Sequence, residues 1–143
     1  METERRAEVT WSGDLLSGSG TIENVGTGAF GPLAVTWKDR AEDPGGNTSP
    51  EELLAAAHAA CFSMALSNAL ANAGTSPERL EASATVTFVP GTGITKSELR
   101  VRGTVPGIDE DAFRKAAEGA RDGCPVSQAL AGNVELSVDA TLA

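Results

Sequence analysis

A chain of 143 residues is the length of one domain and is long enough to bury a core without disulfide or metal staples. Hydrophobic residues make up 41% and charged residues 22%, and 20 acidic against 11 basic side chains leave a formal net charge of −9. That balance speaks against a nucleic-acid surface, whose affinity is largely cationic neutralisation of phosphate, and against docking on anionic membranes.

The first residues, Met1-Glu2-Thr3-Glu4-Arg5-Arg6, lack the apolar stretch of a secretory signal, so a cytoplasmic location is expected. Ala7, Val9 and Trp11 then alternate with Glu8, Thr10 and Ser12, the period of two that marks a half-buried strand. Ser17-Gly18-Ser19-Gly20 is a turn signal, Thr21-Ile22-Glu23 starts a second strand, and Leu33 to Trp37 makes a third. A loop from Asp39 to Thr48 follows, broken by Asp43-Pro44-Gly45-Gly46.

The next segment predicts a long helix from about Pro50 to Ala73. Ser49 can cap it, Pro50 suits the first helical position, Glu52 completes a capping box, and Gly74 supplies the stop. From Leu53 to Leu66 it is apolar nearly all round, which predicts a helix enclosed by protein. His58, Ser63, Ser67 and Asn68 interrupt it too often for a membrane span. Leu80, Ala82, Ala84, Val86 and Phe88 then alternate with polar neighbours, Pro90-Gly91-Thr92-Gly93 turns the chain, and a partner strand runs from Ile94 to about Val105. Asp109 caps a helix over Glu110 to Arg121 that Gly123 closes, Cys124-Pro125 opens a short helix to about Ala131, and Val134 to Leu142 alternates as a last strand. The order βββ–α–ββ–α–α–β predicts a single α+β domain over residues 1–143, with a largely antiparallel sheet around a buried central helix.

Two cysteines are separated by 62 intervening residues, neither with the close-spaced partner of a zinc or thioredoxin-type motif, and a chain with one histidine offers little for a metal. Cys61 sits mid-helix, either as a small core residue or as a thiol that needs a nearby cation to become a thiolate, because the helix dipole fades beyond the first turn. His58 lies three residues back on the same face, and Arg40 lies in the loop leading to the helix. Cys124 falls at or beside a helix N-terminus, a position that suits either a plain cap or a thiolate.

The run Thr48-Ser49-Pro50-Glu51-Glu52-Leu53-Leu54-Ala55-Ala56-Ala57-His58-Ala59-Ala60-Cys61-Phe62-Ser63-Met64-Ala65 resembles the central-helix signature of the OsmC/Ohr family of thiol peroxidases. Cys124-Pro125-Val126-Ser127-Gln128-Ala129-Leu130 resembles its second signature, and the His58 and Cys-Pro-Val-Ser contexts are closer to the OsmC branch. The resemblance covers essentially the whole chain. It implies an OsmC-like fold, an intertwined homodimer, and an enzyme of stress defence that reduces organic hydroperoxides without metal, haem or flavin. It also implies Cys61 as the peroxidatic cysteine, Cys124 as the resolving one, Arg40 as the activating cation with Glu51 as its partner, and a dithiol donor of lipoyl type. Glu51 and Cys61 are ten residues apart, about 15 Å along an unbroken helix, so Glu51 and Arg40 of one chain are expected to serve Cys61 of the other. An apolar pocket near Met64, Phe62 and Leu54 is expected to favour bulky peroxides.

Two other functions fit the residues. A cysteine hydrolase or acyl transferase would use Cys61 with His58 as base, although no third orienting group is evident. A non-catalytic dimeric binding module would keep the fold alone. The peroxidase expectation is that Cys61→Ser abolishes turnover and His58→Ala does not.

Overall fold

The computed structural model describes residues 1–143, which form two compact units, Met1–Pro50 and Glu51–Ala143. The first unit holds β1 (Ala7–Ser12), β2 (Ser19–Val25), β3 (Leu33–Val35) and a short helix α1 (Trp37–Ala41). Its strands make an antiparallel sheet in the order β1-β2-β3. Gly20 lets the three strands close up at one point: a Cβ there would lie 2.6 Å from the Trp11 ring and 3.0 Å from Val35. The predicted half-burial of β1 is not seen, since all six of its residues are exposed. Alternation fixes which residues share a face, but β1 is an edge strand and neither of its faces is covered in the single chain. The segment read as the end of a strand and a loop contains α1. Thr36 caps it, its hydroxyl accepting from the Asp39 amide at 3.2 Å and donating to the Asp39 carboxylate at 2.6 Å. With Asn47 also donating at 2.9 Å, these bonds hold the Asp39 carboxyl below its ordinary value.

The second unit is built around α2 (Pro50–Asn72), β4 (Arg79–Val89), β5 (Gly93–Thr104), α3 (Glu110–Gly123), α4 (Pro125–Leu130) and β6 (Glu135–Leu142). β4 and β5 form the predicted hairpin, with a register shift between Thr87 and Phe88. β6 runs parallel to β5, because α3 and α4 carry the chain across before it pairs. The sheet expectation is thus met within an α+β architecture, but as two three-stranded sheets of which the second is mixed.

The core of this unit follows from three periodicities. α2 contributes Phe62, Leu66 and Leu70, β5 contributes Leu99 and Val101 from alternate positions with Val105 just beyond, and α3 contributes Phe113, Ala117 and Ala120. Gly103 continues the inward row of β5 and makes room for Phe113, whose ring a Cβ would meet at 2.5 Å. α2 is long and apolar enough to cross a membrane by length and composition alone. In the single chain its burial is confined to one side, at Glu51, His58, Phe62, Leu66 and Leu70. Enclosure all round is therefore not found: Met64 is 72% exposed on the opposite side.

Candidate active site

Cys61 stands on α2, and Cys124 stands at the joint of α3 and α4. Cys124 serves both helices. Its backbone N–H closes α3 on the Ala120 carbonyl at 3.0 Å, and its sulfur accepts the Ser127 amide at 3.3 Å as the N-cap of α4. The sulfur is fully buried in the core, whereas Cys61 is half-buried against that same core. No disulfide joins them.

The two thiols are neighbours within the second unit. Burial pushes the Cys61 thiol up from its ordinary value, the Val126 amide donating to its sulfur pulls it down, and hydrogen bonding and charge from Cys124 push it up again. None of these named neighbours carries a positive charge. The Val126 amide belongs to the first turn of α4, so the turn that Cys124 caps also presents a backbone donor to Cys61.

A second, buried line of polar contacts reaches Cys124 from the other direction. His58 is fully buried on α2, one turn before Cys61. Its Nδ1 lies 2.6 Å from Ser97 Oγ on β5, and its Nε2 lies 2.8 Å from Ser127 Oγ on α4. Ser127 Oγ in turn lies 3.1 Å from the Cys124 sulfur. Both serines are fully buried, and no buried side-chain nitrogen or oxygen lacks a partner. Burial holds the imidazole below its ordinary pKa, which keeps it neutral at neutral pH. Both ring nitrogens are engaged by serines, so His58 is not arranged as the base of a Cys61–His58 dyad.

Glu51 is buried in the first turn of α2, with 7% of its surface exposed. Because α2 runs unbroken from Pro50 to Asn72, Glu51 stands about 15 Å along the axis from Cys61 of its own chain. Arg40 is half-buried in α1 and belongs to the first unit. The expected pocket changes composition. Phe62 is wholly in the core and lines nothing, while Met64 borders an open groove of about 610 Å³ with Ser63, Ser67, Ala71 and Leu80. No group of three or more His, Cys, Asp or Glu side chains converges as a metal site.

Ser97 and Ser127 were not singled out in the sequence. Ser127 carried a signal, three residues after a cysteine at a helix start, the spacing at which a cap meets the N3 position. Ser97 carried a weaker one, a polar residue in the inward row that continues through Leu99 and Val101.

Comparison with known proteins places the chain among relatives. The family model described as OsmC-like protein matches residues 43–139. "Peroxiredoxin OsmC" of Escherichia coli (strain K12) is 39% identical over 139 residues, spanning 95% of this chain and 96% of that protein. "Organic hydroperoxide resistance protein-like 2" of Staphylococcus epidermidis is 30% identical over 108 residues, spanning 74% and 76% of the two chains. Among solved structures, the organic hydroperoxide resistance protein OhrB of Bacillus subtilis superposes with a TM-score of 0.70 at 25% identity, over 96% of this chain and 98% of that one.

Proposed function

The chain belongs to the OsmC-like protein family, and from that premise we propose that it is a peroxide-detoxifying enzyme of stress defence, a thiol peroxidase that reduces organic hydroperoxides. The observation that carries the proposal is the pairing of Cys61 and Cys124 beside the first turn of α4, with a backbone donor on the first sulfur. Two thiols that interact across the core, one half-exposed and one enclosed, have the arrangement of an attacking and a resolving cysteine.

In this scheme the Cys61 thiolate attacks one oxygen of the peroxide bond. The O–O bond breaks, the alkoxide leaves and takes a proton to become the alcohol, and Cys61 is left as a sulfenic acid. The Cys124 sulfur then bonds to Cys61 and displaces the sulfenic oxygen, giving a disulfide and water. A dithiol of lipoyl type reopens the disulfide by exchange and restores both thiols. The activating charge is assigned to Arg40, whose guanidinium would favour the thiolate and orient the peroxide, with Glu51 holding the fork. Since Glu51 is remote from Cys61 of its own chain along α2, these two residues are assigned to the partner subunit of a homodimer.

One equivalent of cumene hydroperoxide tests the scheme by mass spectrometry. The reduced wild type is expected to lose two hydrogens and to give a peptide cross-linked through Cys61 and Cys124. Cys124→Ser should stop at a Cys61 sulfenic acid that a dione reagent traps, and Cys61→Ser should remain unmodified. Oxidation confined to methionine would overturn the assignment.

A further inference from the structure

The polar line behind Cys124 has more order than burial alone requires. It joins three elements through four side chains: Ser97 on β5, His58 on α2, and Ser127 and Cys124 at the start of α4. A chain of this kind has a direction. Nothing but the sulfur and the imidazole faces the Ser127 hydroxyl in it, and that hydroxyl has one proton to give. If the Cys124 thiol donates to Ser127 Oγ, the hydroxyl must donate onward to Nε2, and the remaining ring proton sits on Nδ1 and is donated to Ser97 Oγ. If Cys124 is a thiolate, every bond reverses up to the ring: the hydroxyl donates to sulfur and Nε2–H donates to the hydroxyl.

We infer that His58 is a positioning residue for the resolving step, accepting through the Ser127 hydroxyl the proton that Cys124 must lose to attack Cys61. The inference rests on the peroxidase function proposed above, with an organic hydroperoxide as the oxidant that makes the sulfenic acid. The step balances as follows. The thiol proton of Cys124 passes to Ser127 Oγ while the hydroxyl proton passes to His58 Nε2. The freed electron pair on Cys124 forms the S–S bond as the S–O bond of the Cys61 sulfenic acid breaks and hydroxide departs. Hydroxide and the proton taken up by His58 sum to one water, so a thiol and a sulfenic acid become a disulfide and water, and the imidazole ends neutral. Ser97 has the part of the orienter of the base, fixing the ring so that Nε2 is the accepting nitrogen.

Two features support a working relay over simple core satisfaction. An imidazole that merely filled space could be served by a backbone carbonyl at its N–H and a backbone amide at its other nitrogen, whereas here each nitrogen meets a hydroxyl, a group able both to give and to take a proton. The same residue, Ser127, also donates its backbone N–H to the Cys124 sulfur, so the developing thiolate has two donors from one residue.

The test follows both chemical steps after mixing reduced protein with cumene hydroperoxide, counting trapped Cys61 sulfenic acid against Cys61–Cys124 disulfide by quenched mass spectrometry. The ratio of the resolving rate to the Cys61 oxidation rate is expected to fall by about 10²-fold or more in His58→Gln, the scale of a lost general base. Glutamine can still bond to Ser127 but is not a base, so a loss of packing alone would not divide the two rates. Ser127→Ala should behave alike, and both variants should accumulate Cys61 sulfinic acid under excess peroxide. A wild type that forms no Cys61–Cys124 disulfide would overturn the peroxidase function and this inference with it. A disulfide formed equally fast in His58→Gln leaves that function standing and overturns the inference alone. Nitrogen-15 NMR of the wild type reads the relay even if a variant fails to fold, because the chain has a single histidine. The reduced protein should show the neutral Nδ1–H tautomer, and an Nε2–H tautomer or an imidazolium would overturn the inference.

Discussion

Cys61 and Cys124 differ in what surrounds them more than in what they are. Cys61 is half-exposed, yet burial and its neighbouring thiol both hold it toward the neutral form, and only the Val126 amide acts the other way. One backbone donor does not reverse two opposing effects, so a reactive thiolate at neutral pH calls for a charge, the part assigned to Arg40. The sign of the consequence is fixed. Removing a cation raises the thiol pKa further, so the thiolate fraction falls at neutral pH and returns as pH rises. In Arg40→Met the rate of Cys61 oxidation at pH 7 is therefore expected to drop by about 10- to 10³-fold, the effect of a charge that moves a pKa by one to three units. A stopped-flow profile across alkaline pH checks it: the variant should regain rate at high pH, and an unchanged profile would remove Arg40 from the site.

Among the elements, β5 and α3 depend on a missing side chain. Gly103 is the position where strand and helix approach too closely for a Cβ, with Phe113 Cζ at 2.5 Å and Cε1 at 2.8 Å. Phe113 is fully buried and has no free direction in which to retreat. Gly103→Ala is expected to cost about 1–3 kcal/mol, the range for overpacking, seen as a lower urea midpoint with the slope unchanged. Such a close approach was not legible in the sequence, because a glycine in a strand pattern has several explanations. The long helix, the β4–β5 hairpin and the Asp109 cap were legible, since each is dictated by residues within a few positions of one another. The parallel pairing of β6 was not, because alternation sets the faces of a strand and leaves its direction open. The site divides in the same way. The cysteines stood out by chemistry and by the signatures around them, while Ser97 joined them only through the fold, 39 positions from the histidine it holds.

At the scale of the molecule, each unit leaves a surface unfinished, the first at β1 and the second at α2. Met64 is 72% exposed and Trp11 41%, and the sides of α2 away from Phe62 and Leu66 carry alanines rather than charges. A rod this apolar and this bare is the surface that the homodimer proposed above would cover. Sedimentation equilibrium is expected to give twice the chain mass. Met64→Lys should weaken association at least about tenfold, equivalent to about 1.4 kcal/mol, with a parallel loss of peroxide turnover. A fully active monomer would refute the shared site. Cys124, meanwhile, ties chemistry to architecture at a single sulfur: the atom that opens α4 is also one that any thiol reagent seeks. An alkylating tag placed there would crowd the first turn of a helix only six residues long, with too few turns to persist without its start. Because that sulfur is fully buried, a label reaches it only when the corner opens, and its uptake, slower than at Cys61, would gauge how readily it does.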